Sequence, residues 1–248
     1  MKNTLPLLNL FSLIAVIVIN ALANALPING YNTGELSAMY PNSFVPAGFT
    51  FSIWGVIYVF LIIWSVYFLL PNQRNQSRYQ SHGVGLWFII SCLGNVLWIL
   101  AWHYMQVELS IILMLLILVS LINAYKSLSP SKSRWIEVVP FSIYLGWISV
   151  ATIANATALL VHYGVTGGEL ASMISSVMIA VAVILGVLFT LKIGDVFYGL
   201  VILWAVFGIF KNQTEYPITQ TTYVAMSSLA AIIIFRILKG GPYFWSAK

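Results

Sequence analysis

Charge is scarce in this chain of 248 residues: Asp, Glu, Lys and Arg together make up 7%, against about 25% in soluble globular domains. So little charge cannot cover a water-facing surface, and no stretch is polar enough for a soluble domain. Cysteine is scarcer still. Cys92 is the only one, which excludes an intrachain disulfide and a thiolate metal cluster; it reads as a small buried apolar residue. The six acidic residues are scattered, and the three histidines, His82, His103 and His162, stand apart from any paired carboxylate or His-x-x-Glu pattern. No Ser–His–acid set, Cys–His set or glycine-rich nucleotide loop is present. The sequence therefore offers no catalytic residue, metal ligand set or cofactor motif. Haem ligation by His103 or His162 is chemically open, with interfacial hydrogen bonding as the simpler role.

Apolar residues are what the chain has instead, at 60% with a mean hydropathy of +0.94. Runs of about 20 apolar residues recur, as a hydrocarbon core of about 30 Å requires. They predict an all-α polytopic membrane bundle with about eight transmembrane helices, over residues 5–26, 48–70, 84–104, 108–127, 137–161, 171–191, 196–211 and 221–238. The seventh is the shortest. The basic residues test this count. With eight spans, Lys2, Arg74, Arg78, Lys126, Lys132, Arg134, Lys192, Arg236, Lys239 and Lys248 share one side, and only Lys211 falls on the other. The positive-inside rule then places both termini in the cytoplasm. The net charge of +5 is accounted for by topology, with no nucleic-acid footprint. The plasma membrane is the expected location.

Three aromatic–polar patterns stand out inside the apolar spans. The first runs from Pro46 through Gly48, Phe49 and Phe51 to Trp54 and Tyr58. The second is Asn95 with Trp98, and the third is Tyr144 with Trp147 and then Asn155. An amide in hydrocarbon must face another helix, a cavity or a ligand. At about 1.5 Å rise per residue, these groups reach similar depths, as do Asn20 and Asn24, four apart on one helix face. The geometry predicts a shared interior site that opens outward beneath the loop 27–47. Its indole and phenol rings offer flat apolar walls with hydrogen-bonding edges, and its amides offer a few orienting donors and acceptors. Each Asn alone fits helix–helix adhesion equally well. Trp64, Trp87, Trp135, Trp204 and Trp245 read as interface anchors or packing.

The order and spacing of these patterns resemble the tryptophan-rich sensory protein family (TspO/MBR), also called translocator proteins. The resemblance covers residues 1–163. The second and third patterns match without a gap. The first departs in three ways: Ala47 replaces a proline, Phe49 replaces a tryptophan, and one residue is missing between Phe51 and Trp54. A missing residue turns the following helix by about 100° unless the preceding turn absorbs it. The N-terminal run, with Lys2 before it and Ala23-Asn24-Ala25 after it, also has the pattern of a signal peptide; the resemblance favours a retained helix lined by Asn20 and Asn24.

The resemblance implies a five-helix core over 1–163, with the outer loop 27–47, and three additional transmembrane helices over 164–248. It also implies a porphyrin-like or sterol-like ligand, met by Trp54, Tyr58, Asn95, Trp98, Tyr144, Trp147 and Asn155, with Asn20 and Asn24 in support. Binding of a planar hydrophobic molecule, for sensing or transport, is the leading expectation. A secondary transporter of a small solute and a light-dependent porphyrin-degrading enzyme are the alternatives. The expected partners are membrane lipid and the ligand, and no nucleic acid. If the extra helices cover the side that five-helix relatives use to dimerise, the protein is a monomer or a weak homodimer.

Overall fold

The computed structural model describes residues 4–26, 28–70, 83–128 and 134–240. Lys2, Pro27, Arg74, Arg78, His82, Lys132, Trp245 and Lys248 lie outside the described residues. Nine helices occur among those described: α1 (Leu5–Ala25), α2 (Thr33–Ala38), α3 (Ile53–Tyr67), α4 (Val84–His103), α5 (Val107–Ser127), α6 (Trp135–His162), α7 (Gly168–Leu188), α8 (Val196–Asn212) and α9 (Tyr216–Leu238). A 3-10 turn at Gly48–Ser52 leads into α3, and a π turn at Phe189–Ile193 continues α7. The protein is an all-α polytopic membrane bundle. Seven helices are long and apolar enough to cross a membrane. The eighth expected span is α8, whose 17 residues reach only about 26 Å. Its short length follows from Asp195 capping one end and polar Asn212 and Gln213 closing the other.

Helix α1 packs on α3 and α4, α4 on α5, α5 on α6, and α6 back on α3, closing a five-membered ring. On the far side of α6, α8 packs against it, flanked by α7 and α9. Helix α6 therefore has neighbours on both sides. Its sequence shows this, with apolar residues all round rather than along one stripe, and an unbroken run from Glu137 to Val150 is buried. The outer helices keep apolar residues on their free faces: Phe11, Val177 and Ile234 are all more than half exposed. In hydrocarbon such faces cost nothing, because lipid tails solvate them.

The segment 28–47 covers one end of the bundle, here the lid end. The opposite end carries Lys126, Arg134, Lys192 and Arg236 and is the basic end. Inside the lid, Asn32 and Glu35 form a capping box that fixes α2: the Asn32 side chain accepts from the backbone of Gly34 and Glu35, and Glu35 accepts from the Asn32 amide. This turns Leu36 downward, fully buried against Trp102 and Ala158, with Trp98, Tyr31 and Tyr40 around it. The lid is also tied by Asn29, whose Nδ2 donates to the His103 carbonyl at 3.0 Å.

At the basic end, Asp195 is fully buried. Gly194, in the left-handed region at φ +81°, turns the chain so that Asp195 can cap α8. Its Oδ1 accepts from the backbone amides of Phe197 and Tyr198 and from Ser142 Oγ at 2.7 Å, and its Oδ2 accepts from Tyr125 Oη at 2.5 Å. One carboxylate thus joins α5, α6 and α8. Tyr198 stacks on Phe189 with ring centroids 3.9 Å apart and donates to Ser149 Oγ at 2.9 Å.

Candidate functional site

Helices α1, α4 and α6 bring three of the expected residues into one hydrogen-bonded chain. Asn20 donates from Nδ2 to Asn95 Oδ1 at 2.8 Å, and Asn95 donates onward to Tyr144 Oη at 3.4 Å. All three are buried. From α3, Trp54 stacks on Tyr58 (centroids 5.5 Å, 24° between planes) and meets Tyr144 and Trp147 edge-on at 6.0 and 6.2 Å. Phe51 closes the group against Trp147 at 6.0 Å and 89°. Edge-to-face pairs at these distances are favourable beyond their buried area. Trp54, Tyr58, Asn95, Tyr144, Trp147 and Asn20 therefore form one cluster beneath the lid. The amides and rings there satisfy one another through hydrogen bonds and T-shaped pairs, which are favourable in hydrocarbon.

Trp98 and Asn155 form a second, adjoining group nearer the lid. Trp98 Nε1 donates to Asn155 Oδ1 at 3.0 Å, and Asn155 exchanges bonds with Ser110 Oγ. Trp98 also stacks on Trp102 at 6.1 Å, which carries Leu36 of the lid. Ser110 belongs to no pattern legible in the sequence. Only its depth near the start of α5, level with Asn155, could have drawn notice. Asn24 departs from expectation: it is exposed, and its Nδ2 returns to the Asn20 carbonyl at 2.8 Å. An amide near a helix end finds an acceptor one turn back more readily than across the bundle. His103 also departs from an interfacial role. It is fully buried, with Nδ1 2.8 Å from the Ile99 carbonyl. His162 does sit at the surface of the lid end, 3.4 Å from Glu108.

The missing residue before Trp54 has a structural answer. Residues 48–52 wind as a 3-10 turn, at about 120° per residue instead of about 100°. Over five residues the excess is about 100°, the rotation that one deleted residue removes. Trp54 consequently faces Tyr144 and Trp147.

Two buried donors in the cluster have no partner among the described residues: Tyr58 Oη and Trp147 Nε1. Every other polar side-chain atom that joins Asn20, Asn95 and Tyr144 to one another is bonded. The chain Asn20–Asn95–Tyr144 itself holds three helices together, and replacing Asn95 with Leu is expected to cost about 1–2 kcal/mol, since interhelical hydrogen bonds in bilayers average about 0.6 kcal/mol each. A double-mutant cycle with Tyr144→Phe, read by thermal unfolding in detergent, checks this; a coupling of zero would show that the 3.4 Å contact contributes nothing.

A groove of about 330 Å³ lies away from the cluster, on the lipid-facing side between α3, α6 and α8, with Ile53, Val56, Ile143, Phe197, Leu200 and Trp204 among its walls. It shares helices with the site but none of its expected residues.

Comparison with known proteins yields a family match. The model for the family described as TSPO-like protein matches residues 6–238, so the likeness runs beyond residue 163 through all three C-terminal helices. No curated protein and no solved structure matches the chain. The aromatic and amide patterns, the bundle they sit in and a family match over nearly the whole length agree, and the chain belongs to the TSPO-like protein family.

Proposed function

We propose that this membrane protein binds a planar, mostly apolar small molecule of porphyrin type at the Trp54–Tyr58–Tyr144–Trp147 cluster, for sensing or transport. The observation that carries the reading is the pair of unpartnered donors, Tyr58 Oη and Trp147 Nε1. A buried donor without an acceptor costs about 1–3 kcal/mol, and two on one cluster mark a place prepared for acceptors from outside the chain. A ligand with a flat apolar body and carboxylate or carbonyl groups supplies what is lacking. It enters by parting the Trp54–Trp147 contact, and the lid must lift Leu36 from Trp102 to admit it. Asn20, Asn95, Trp98 and Asn155 hold the frame around the opening.

The test is quenching of tryptophan fluorescence in the purified protein by protoporphyrin IX, with haem as the control. Saturable quenching in the micromolar range supports the reading. Linear, unsaturable quenching by both compounds would sink it.

The basic end is assigned to the cytoplasm, on the charge count, and the lid to the outer side. Helices α7–α9 cover one flank of the five-membered ring and favour a monomer. Light scattering in detergent is expected to give a protein mass near 27.5 kDa, and a stable value of twice that would contradict it.

A further inference from the structure

We propose that α8 sets the direction in which Trp54 points, and that Gly208 and Trp204 are positioning residues for the aromatic cluster. The inference rests on the ligand reading above only for its effect on affinity; its geometric part stands alone.

The 3-10 turn at 48–52 is wound more tightly than an α-helix, with poorer hydrogen-bond geometry. Left alone it would relax toward α-helical winding and rotate α3 by as much as about 100°. Trp54 would then leave Tyr144 and Trp147 and face the lipid. Helix α8 holds this turn on several sides. The Ala47 amide donates to the Gly208 carbonyl at 3.0 Å. Trp204 Nε1 donates to the Thr50 carbonyl at 2.9 Å. Just before the turn, the side chains of Asn212 and Gln213 both donate to the Val45 carbonyl, at 3.0 and 3.4 Å. Phe49 packs edge-on against Trp204 and Phe207 at 5.5 and 5.9 Å.

Gly208 makes the fit close. A Cβ there would lie 2.8 and 2.9 Å from Cγ2 and Cβ of Thr50, and nearer still to its Oγ1. Thr50 is fully buried, so its side chain occupies the space that the glycine leaves free. None of these contacts adds a group to the cluster. They act through the turn, and they come from α8 and the residue after it, which gives the C-terminal part of the chain a role in the site.

The experiment uses the full chain labelled with 5-fluorotryptophan, with the Trp54 signal assigned by its loss in Trp54→Phe. Gly208→Ala is expected to shift the Trp54 fluorine resonance beyond its linewidth and to weaken protoporphyrin IX binding about tenfold. Thr50→Ala removes the two nearest atoms, so Thr50→Ala/Gly208→Ala is expected to return both readouts most of the way. A merely structural loss would not be reversed by that second change. Trp204→Phe keeps the ring body and deletes one hydrogen bond; it provides a milder shift of the same resonance should Gly208→Ala fail to fold. An unmoved Trp54 signal in a folded Gly208→Ala protein, or in Trp204→Phe where the former does not fold, overturns the proposal. If the signal moves and the double variant restores it while the wild type binds no porphyrin, the positioning role stands and the ligand reading falls.

Discussion

Replacing Trp54 and Trp147 together with alanine is expected to weaken protoporphyrin IX binding by more than a hundredfold while the protein still inserts and folds. The two rings meet edge-on at 6.2 Å and form adjoining walls of one cluster. Covering a large apolar side chain contributes about 1.5–3 kcal/mol, and a ligand that takes over half of each ring's contacts gains part of that from each. About 3 kcal/mol for the pair corresponds to a factor of about 150 in affinity. Trp147 also supplies one of the two unpartnered donors, so its single replacement is expected to cost more than that of Trp54. Trp147→Phe helps separate the contributions: it keeps an aromatic wall of smaller area and removes the Nε1 donor. The titration that checks this is fluorescence quenching read through the remaining tryptophans, alongside thermal melting of each variant. Unchanged affinity in a well-folded double variant would remove the cluster from consideration as a binding site.

Much of this arrangement was legible in the sequence because hydrocarbon is an unforgiving solvent for amides. Asn20, Asn95 and Asn155 had to find partners, and depth estimates from helix rise placed Asn20 in the outer third and Asn95 near the middle of their helices, at similar depths; the structure joins them at 2.8 Å. The ring α1–α3–α6–α5–α4 was not derivable from the residues, since each helix presents apolar side chains on several faces and periodicity selects no neighbour. Asn24 was misplaced for a related reason. It shares a face with Asn20, but a backbone carbonyl one turn back satisfied it first.

The approach of α8 to the turn before α3 was invisible because it depends on what Gly208 lacks. Small residues in membrane helices mark close approach in general, without naming the partner. The 3-10 winding of residues 48–52 was equally hidden; the sequence showed a residue missing and left the compensation open. Asp195 caps α8 in the structure, a role suited to an acid just before a helix, but no sequence pattern singled it out. Its partners Tyr125 and Ser142 lie 70 and 53 residues away from it in sequence and reveal no shared contact until the helices are packed.

Asp195 carries the second large expected effect. Asp195→Ala is expected to destabilise the protein by about 3–5 kcal/mol. Loss of the cap on α8 accounts for about 1 kcal/mol. Tyr125 and Ser142 would each lose a hydrogen bond to the carboxylate, at about 1–2 kcal/mol each. In a chain of this size that is a fall in melting temperature of about 10 °C. Asp195→Asn should be far milder. Its carbonyl oxygen still accepts from Ser142 and the two backbone amides, and its NH₂ can donate to Tyr125 Oη. The pair of variants also predicts a pH dependence. Burial pushes the Asp195 carboxyl above the ordinary carboxylate range, against the opposing pull of hydrogen bonds from Tyr125, Ser142 and the Tyr198 and Phe197 amides. A carboxyl raised in the folded state binds its proton more tightly there than in the unfolded chain. Its contribution to stability is therefore fully present below the unfolded value and is lost as pH rises through the folded one. The wild type should gain stability on mild acidification over that window, and Asp195→Asn, which has no proton to bind, should lack this gain. Thermal melting in detergent across that window reads both effects. Equal slopes in the two proteins would mean that the carboxylate is fully stabilised by its four donors and that the network is indifferent to its charge.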